Sequence, residues 1–259
     1  MARMNNHSVT TEPKSGQSRS LSSAVLHMLG MAFMLCDHLW ATIVPGNSWL
    51  TCIGRLAFPI FAFLTVEGFF HTGDLKRYVR RLLCFALLSE IPFNLMTGGS
   101  VINPFRQNVL WTFLLGLGLI RFHHQVRTGG NRAQALFTGF LALILGFLLG
   151  TVTFCDYGGM GVLTVLAFYF LRGEGWLYRL GQLAALAYLN LELLGGLSYE
   201  VFLFGQPFLL RQQSFALLSL VPIWLYRGKQ GYHKPWFSRF CYLFYPAHML
   251  LLSLLAQML

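Results

Sequence analysis

LSSAVLHMLGMAFMLCDHLWATIV, residues 21–44, is an almost continuous apolar stretch in which an acid and an imidazole, Asp37 and His38, stand side by side. A helix needs about 20 apolar residues to cross the hydrocarbon core of a bilayer, so this stretch is long enough to span it. A charged side chain at that depth costs about 2.5 to 3.5 kcal/mol, and such residues usually mark a functional site. The stretch therefore predicts an integral membrane protein with chemistry inside the bilayer.

The composition supports the same class of protein. Of the 259 residues, 55% are hydrophobic and 11% are charged, whereas soluble domains average about 25% charged residues. We expect an all-α fold, a polytopic helical bundle formed by residues 21–259. Residues 1–20 are polar and predict a disordered cytoplasmic tail.

Nine apolar segments can be placed as membrane-spanning helices. They are Ala24–Val44, Trp49–His71, Leu75–Met96, Asn108–His124, Ala133–Val152, Gly158–Leu171, Trp176–Leu191, Gln212–Tyr226 and Phe237–Met258. The stretch Leu193–Leu210 is also apolar, but three glycines and a proline interrupt it. We interpret it as a re-entrant or interfacial piece, and a tenth span there is the main alternative topology.

The basic residues predict the orientation of these spans. Sixteen of the 19 Lys and Arg residues fall in alternate loops, Arg106 and Arg211 fall on the other side, and Arg55 lies within the second segment. Cytoplasmic loops carry the excess of Lys and Arg, so the distribution predicts a cytoplasmic N-terminus. The formal net charge of +10 is thus explained by topology, and no nucleic-acid partner is expected.

In this topology, eight polar residues lie at a similar depth in the membrane. The set comprises Asp37, His38, Arg55, Glu90, Asn94, Asn108, Thr112 and His248. We expect these groups to line a polar cavity that opens to the outer side. The alternative is that they form internal ion pairs that lock the helices together.

The first two members of that set point in different directions. Adjacent residues on a helix project about 100° apart, so Asp37 and His38 cannot face each other. We expect Asp37 to pair with Arg55 across the turn between the first two spans. His38 would then face the cavity, oriented by another group such as Glu90.

Several motifs resemble those of one family of membrane proteins. The run from Cys36 to Leu95 contains DH, GRLAFPIFAF, VEGFFHT and SEIPF, and it is followed by NVLWTFLLGL from Asn108 and FYPAHMLLL from Phe244. Together they resemble the TraX family, named for a protein that N-acetylates the N-terminus of a conjugative pilin. The family is similar to acyltransferase type 3 and heparan-α-glucosaminide N-acetyltransferase.

The resemblance implies a membrane acyltransferase of a bacterial-type plasma membrane. Such enzymes take an acetyl group from cytoplasmic acetyl-CoA and transfer it to an amino or hydroxyl group at or across the membrane. The acceptor here could be a peptide, a lipid, a glycan or a small molecule. Acetyl-CoA and membrane lipids are the other expected partners.

Acyl transfer from a thioester needs a base and donors for the developing oxyanion. His38 suits the base, and His248 is a second candidate, as base or as polariser of the carbonyl. Asn94, Asn108 and Thr112 could donate to the oxyanion. Arg55 could do the same or could fix Asp37. Direct transfer and an acetyl-histidine intermediate both fit this set.

The phosphates of CoA need basic partners on the cytoplasmic side. Lys76, Arg77, Arg80 and Arg81 cluster where the third segment begins. We expect them to hold the cofactor, although the same residues could be ordinary topology signals. No metal site is expected, because Glu67 and His71, which share a helix face, have no third ligand near them.

Two other function classes stay open at this point. A proton-coupled transporter or exporter could use Asp37, His38, Glu90 and His248 as a proton relay. An assembly protein of a secretion apparatus could use the same residues only to hold helices together.

Overall fold

The computed structural model describes residues 20–232 and 234–259. The disordered tail predicted for residues 1–20 lies outside the described residues, apart from Ser20. About three quarters of the described chain is helical. The first half contains α1 (Ser23–Thr42), α2 (Ser48–Gly54), α3 (Ala57–His71), α4 (Leu75–Gly98), α5 (Val109–Gly129) and α6 (Arg132–Val152).

The second half is less regular. It contains α7 (Gly158–Phe170), α8 (Trp176–Ala187), a π-helical turn (Tyr188–Leu193), strands β1 (Ser198–Leu203) and β2 (Gln206–Arg211), a 3₁₀ helix (Gln212–Ser219), α9 (Leu220–Leu225) and α10 (Pro235–Ala256). Each of the nine predicted apolar segments thus coincides with helical structure. The second segment is interrupted at Arg55, between α2 and α3.

Four helical stretches are long and apolar enough to cross a membrane: Ser23–Thr42, Ser48–His71, Arg132–Val152 and Pro235–Ala256. The face of α6 that points away from the protein is apolar, with Leu136, Phe137 and Phe140 all more than 60% exposed. A soluble protein rarely exposes such a surface, whereas a lipid-facing helix needs one. The chain is therefore a membrane protein, while the nine-span topology and its orientation stay predictions.

Side-chain caps fix where two of the helices begin, and glycines allow two of the helices to pack closely. The side chain of Ser22 accepts a hydrogen bond from the Val25 N–H at the start of α1, and Asn131 and Gln134 form a capping box at the start of α6. Gly150 of α6 packs directly on Gly159 of α7, where a Cβ on either glycine would overlap the other helix. Small residues at such crossings are typical of helices in membranes.

The core lies around α3. Its residues Ile60, Ala62 and Val66 are almost completely buried, and they pack with α5 and α7 residues such as Ile120 and Val165. A second, smaller apolar cluster consists of Met34, Ala57, Phe93, Tyr245 and Met249. This second cluster joins α1, α3, α4 and α10 beside the polar residues described below.

The stretch predicted as a re-entrant or interfacial piece, with a tenth span as the alternative, forms a β-hairpin. Strands β1 and β2 pair antiparallel, with Val201 opposite Phe208. Gly195 and Gly196 have φ values of 64° and 95°, and Phe204 and Gly205, which form the turn, have 50° and 79°. Positive φ at both central residues is the geometry of a two-residue type I′ hairpin turn and is incompatible with a helix. The tenth span is therefore wrong, and the fold is not purely α.

Candidate active site

Two histidines from opposite ends of the chain meet between α1 and α10. Nδ1 of His38 lies 2.6 Å from Nε2 of His248. The two rings are nearly coplanar and meet edge to edge, with 4.9 Å between their centroids and 7° between their planes. His248 also stacks on Phe244, at 4.6 Å. The pair joins two side chains that the sequence nominated separately.

The hydrogen bonds of His248 determine which nitrogen of His38 is basic. Nδ1 of His248 lies 2.5 Å from the carbonyl oxygen of Phe244, and a carbonyl only accepts. Nδ1 of a neutral His248 therefore carries the hydrogen, and its Nε2 is an acceptor. The donor in the pair must then be Nδ1 of His38. This assignment makes Nε2 of His38 an acceptor, and no hydrogen bond to it is found within residues 20–232 and 234–259.

An ion pair lies beside the histidines, as the sequence predicted. The Arg55 guanidinium donates to the carboxylate of Asp37, and the two side chains are 18% and 21% exposed. Thr51 donates to the same carboxylate oxygen at 2.6 Å. Thr51 Oγ1 in turn accepts hydrogen bonds from Arg55 at 3.1 Å and from Gln212. These four residues, Asp37, Thr51, Arg55 and Gln212, are called the carboxylate network below.

The network requires α1 and α2 to approach very closely. Gly54 faces Asp37, and a Cβ at Gly54 would lie 2.4 Å from the Cβ of Asp37. Real Cβ atoms do not come so near, so only glycine allows this contact. The break between α2 and α3 directly after Gly54 places Arg55 at the interruption, with its side chain free to turn towards α1.

A loop closes the other side of the network. Nη1 of Arg55 lies 3.4 Å from the hydroxyl of Tyr157, which stacks on Phe58. Thr112 donates to the main-chain oxygen of Asp156 at 2.7 Å. Burial raises the pKa of Asp156 from 3.8 to about 6, although the charges of Arg55 and Arg106 oppose the shift. Burial also raises the pKa of Tyr157.

Glu90 does not orient His38, so that prediction was wrong. Oε1 of Glu90 accepts from the Asn108 side-chain amide at 2.5 Å, from its main-chain N–H at 3.1 Å and from the Trp111 indole at 2.7 Å. It therefore neutralises the first N–H groups of α5, where a helix attracts negative charge. Depth in the bilayer placed Glu90 level with His38 but did not show that α4 turns it towards α5.

Asn108 is also engaged within the protein. One hydrogen of its amide goes to Glu90 and the other to the carbonyl of Ala86 at 2.8 Å, while its oxygen caps α5 at Leu110. No amide hydrogen is left for an oxyanion. Asn94 is buried, and its Oδ1 has no hydrogen-bond partner among the described residues. An amide oxygen only accepts, so this observation does not make Asn94 an oxyanion donor.

A cavity of about 550 Å³ lies on the far side of the second apolar cluster. It runs between α1, α3, α4 and α10, from Ser23 to Met34 along α1, and Val109, Leu110 and Phe113 of α5 also line it. Ser23 and Met34 are eleven positions apart, so the cavity extends about 16 Å along the helix axis. It opens at the end where α1 and α4 begin, which is the end of the predicted cytoplasmic loops.

The polar residues predicted to line a cavity that opens to the outer side do not line this one, so that outward-opening cavity stays a prediction. Among the residues that the structure describes, those that line the cavity include neither histidine of the pair. They also do not include Asp37, Arg55, Glu90 or Asn108. The deep end of the cavity is formed by Met34 and Tyr245, which are one helical turn from His38 and His248 respectively. The second apolar cluster, to which both belong, thus separates the cavity from the histidine pair.

One of the four predicted phosphate partners reaches the cavity. Arg81 lines it and lies over the ring of Tyr242, at 5.7 Å from the centroid. Arg77 instead pairs with Asp74 at 3.4 Å on the exposed face of α4. Lys76 and Arg80 are exposed and lie outside the described lining. The helix repeat explains the difference, because Arg81 follows the cavity residue Tyr78 by three positions and shares its face.

The acid at the mouth of the cavity belongs to an ion pair. Glu67 accepts from Nε of Arg172 at 2.7 Å, and Nδ1 of His71 lies 3.5 Å from its other oxygen. No group of three or more His, Cys, Asp or Glu side chains that could hold a metal is found within residues 20–232 and 234–259. Glu67 therefore serves to join α3 to the segment after α7.

Comparison with known proteins identifies the family. Residues 22–256 match the family model described as TraX protein. The chain belongs to the TraX family. The resemblance read from the motifs of α1, α3 and α10 is thereby confirmed, and in this TraX-family chain those motifs carry the histidine pair and the carboxylate network.

A curated relative covers nearly the same length. A probable fimbrial assembly protein FimC, serogroup H1, of Dichelobacter nodosus is 28% identical in an alignment 245 residues long, which covers 89% of this chain and 94% of that protein. No solved structure matches the chain significantly.

Three residues of the site were missed by sequence reasoning: Thr51, Tyr157 and Gln212. Thr51 stands four residues before Arg55, so one helical turn joins them, and that spacing could have indicated the contact. Gln212 and Tyr157 come from distant segments. Nothing in their local sequence distinguishes them from ordinary polar residues at helix ends.

Proposed function

We propose that this TraX-family chain is a multi-pass acyltransferase of a bacterial-type plasma membrane, with nine spans and a cytoplasmic N-terminus. It would transfer an acetyl group from cytoplasmic acetyl-CoA to an amino or hydroxyl group presented on the other side. The proposal rests mainly on the position of the cavity. It opens at the end of the basic loops and ends one helical turn from the histidine pair.

The length of the cavity and one basic residue in its lining support acetyl-CoA as its ligand. Its lining runs about 16 Å along α1, a length that an extended thioester arm could occupy. Arg81 supplies a guanidinium at the lining for the CoA phosphates. Among the four basic residues first nominated, Arg81 is thus the proposed donor contact, and Lys76, Arg77 and Arg80 would act through charge at the membrane surface.

Nε2 of His38 is the proposed general base. It takes the proton of the acceptor N–H or O–H as that nitrogen or oxygen attacks the thioester carbonyl. The new C–N or C–O bond forms, the C–S bond breaks, and the CoA sulfur receives the proton from His38. His248 holds Nδ1 of His38 as the donor throughout, so its role is to position the base.

The carboxylate network supplies charge beside the reacting atoms. Arg55 has its guanidinium shared between Asp37, Thr51 and Tyr157. A preorganised cation of this kind stabilises an oxyanion without further reorganisation. The network thus combines the two roles considered for Arg55, since fixing Asp37 also fixes the guanidinium.

The family relative guides the choice of acceptor. The protein from Dichelobacter nodosus is named as a fimbrial assembly protein. We therefore propose a polypeptide of a surface fibre as the first acceptor to test, with glycans, lipids and small amines as the other classes.

Acetyl-CoA turnover by the purified protein in nanodiscs tests the proposal. The wild type should release CoA and acetylate a pilin-like peptide, and His38→Gln should lower the rate by about 10²-fold or more. His124→Gln, on α5 beside Tyr169, is the matched control and should retain the rate. Failure of the wild type to bind or consume acetyl-CoA with every acceptor class would overturn the proposal in favour of a transporter.

A further inference from the structure

The β-hairpin presents an apolar tip that contacts little of the protein. Phe202, Phe204, Phe208 and Leu209 are 71%, 103%, 52% and 67% exposed. No charged residue occurs between Glu200 and Arg211. A patch of three phenylalanines and a leucine is unfavourable in water and marks a contact surface.

The turn of the hairpin carries a residue that its geometry disfavours. Phe204 has a φ of 50° and is the first of the two central turn residues. Asn, Asp or Gly relieves the strain at this position, whereas a bulky side chain increases it. Phe204 is also the most exposed residue of the hairpin. Its presence at this strained position is therefore better explained by what it contacts than by stability.

The base of the hairpin fixes its position relative to the membrane. Gln212, which directly follows β2, donates to Thr51 of the carboxylate network. Phe215 packs edge-on against Trp49 of α2, with 6.0 Å between the ring centroids. The hairpin therefore emerges at the end of the bundle where α1 ends and α2 begins.

The surface beside the hairpin is apolar as well. Leu177, Leu180, Tyr188 and Leu193 of α8 and the π-helical turn are exposed, and this apolar surface leads through Leu197 into β1. The charged residues sit at the base, where Arg211 lies 3.7 Å from Glu192. This order, an apolar and aromatic tip next to a charged base, is typical of the membrane–water interface.

We propose that the tip of the hairpin inserts into the headgroup region of the leaflet nearest the carboxylate network, with phospholipid as its occupant. The free edges of β1 and β2 restrict it to that level, because unpaired main-chain groups need water and cannot enter the hydrocarbon core. Pro207 removes one main-chain donor from β2, which disfavours strand addition by a peptide as the alternative. The inference rests on the membrane placement proposed above but not on acetyl transfer.

Photocrosslinking in nanodiscs of phosphatidylethanolamine and phosphatidylglycerol tests the proposal. p-Benzoylphenylalanine replaces Phe204, the protein is irradiated, and mass spectrometry identifies the adducts. The same replacement of Phe140, on the apolar face of α6, is the positive control. Replacement of Glu174, in an exposed loop between α7 and α8, is the control for a residue in water.

Lipid adducts at 204 as abundant as those at 140, with none at 174, are the expected result. Replacement of Phe202 repeats the test if the 204 variant fails to accumulate. Water-quenched product alone, or crosslinks only to protein, at both positions would overturn the proposal. Acetyl transfer is not measured, so an inactive protein with lipid adducts would remove the proposed function and leave this inference standing.

Discussion

Nε2 of His248 and Nδ1 of His38 share one hydrogen bond of 2.6 Å, although 210 residues separate them in the chain. Because the second nitrogen of His248 is bound to a main-chain carbonyl, the bond has one direction. The imidazole of His38 is thereby held with Nε2 as its basic atom. Catalysis by this site would depend on the partner histidine even though the partner takes no proton itself.

Replacing His248 tests whether its hydrogen bond to His38, and not only its packing on Phe244, supports catalysis. His248→Phe keeps a ring against Phe244 but removes the acceptor, so Nδ1 and Nε2 of His38 would compete for the hydrogen. We expect kcat to fall by about 10- to 100-fold, less than for loss of the base itself, with KM for acetyl-CoA unchanged. His248→Gln offers an oxygen acceptor and should recover part of the rate.

The ¹⁵N shifts of the His38 ring report its tautomer directly. They should show Nδ1–H in the wild type and a mixture in His248→Phe. Equal rates and equal tautomers in all three proteins would contradict the positioning role.

Gly54→Ala should disrupt the approach of α1 and α2. The added Cβ would meet the Cβ of Asp37 at 2.4 Å, and overpacking of this kind costs about 1 to 3 kcal/mol. Gly118→Ala is the matched control, because Gly118 lies within α5 and a Cβ there meets nothing within 4 Å. It should be neutral or stabilising by up to about 1 kcal/mol. Thermal unfolding in detergent measures both, and equal melting temperatures would refute the close contact.

The Asp37–Arg55 pair should show strong coupling in a double-mutant cycle. Removing one partner leaves the other charge half-buried, so Asp37→Asn and Arg55→Gln should each cost about 1 to 3 kcal/mol. The double variant should lose clearly less than the two single losses combined. Unfolding free energies measured at one pH test this, and additive losses would show that the pair contributes no interaction.

Arg81→Ala should weaken the use of acetyl-CoA without slowing the chemical step. We expect KM for acetyl-CoA to rise about 10-fold, since a charge-assisted hydrogen bond contributes about 1.5 to 3 kcal/mol. Arg77→Ala removes the same charge from the same helix outside the cavity and should leave KM within about twofold. A similar rise in both variants would mean that surface charge, and not the cavity, attracts the donor.

Asp156 should make the protein less stable as the pH rises through the weakly acidic range. Its pKa is raised from 3.8 to about 6, so between these values the folded chain binds more protons than the unfolded chain. Stability from this group is therefore complete below about pH 4 and is lost by about pH 6, at most about 3 kcal/mol. Asp156→Asn should remove that slope. Parallel melting curves for wild type and variant from pH 4 to 7 would contradict the raised pKa.

The helices could be predicted from the sequence because continuous apolar runs determine them. The Asp37–Arg55 pair was predictable too, since opposite charges at one depth on consecutive spans have few other partners. The direction of Glu90 was not predictable, because depth along a helix says nothing about which neighbour its side chain faces.

The histidine pair needed information that the local sequence lacks. Both histidines were nominated, but only the packing of α10 against α1 shows that they touch. The hairpin was misread for another reason: strands of apolar residues resemble a broken span, and the decisive signal was the pair of positive-φ positions at Phe204 and Gly205. The cavity depends on the arrangement of several helices, so it could not be located from any one segment.

The second apolar cluster lies between the cavity and the histidine pair. A plasma membrane stores energy as a proton gradient, and a continuous file of water through a protein would discharge it. Met34 and Tyr245 close the cavity one turn short of the histidines, with Phe93 and Met249 packed beside them. A thioester arm could displace this layer only while it fills the same space. The layer would thus act as electrical insulation, which lets a group pass between the two sides while the membrane stays energised.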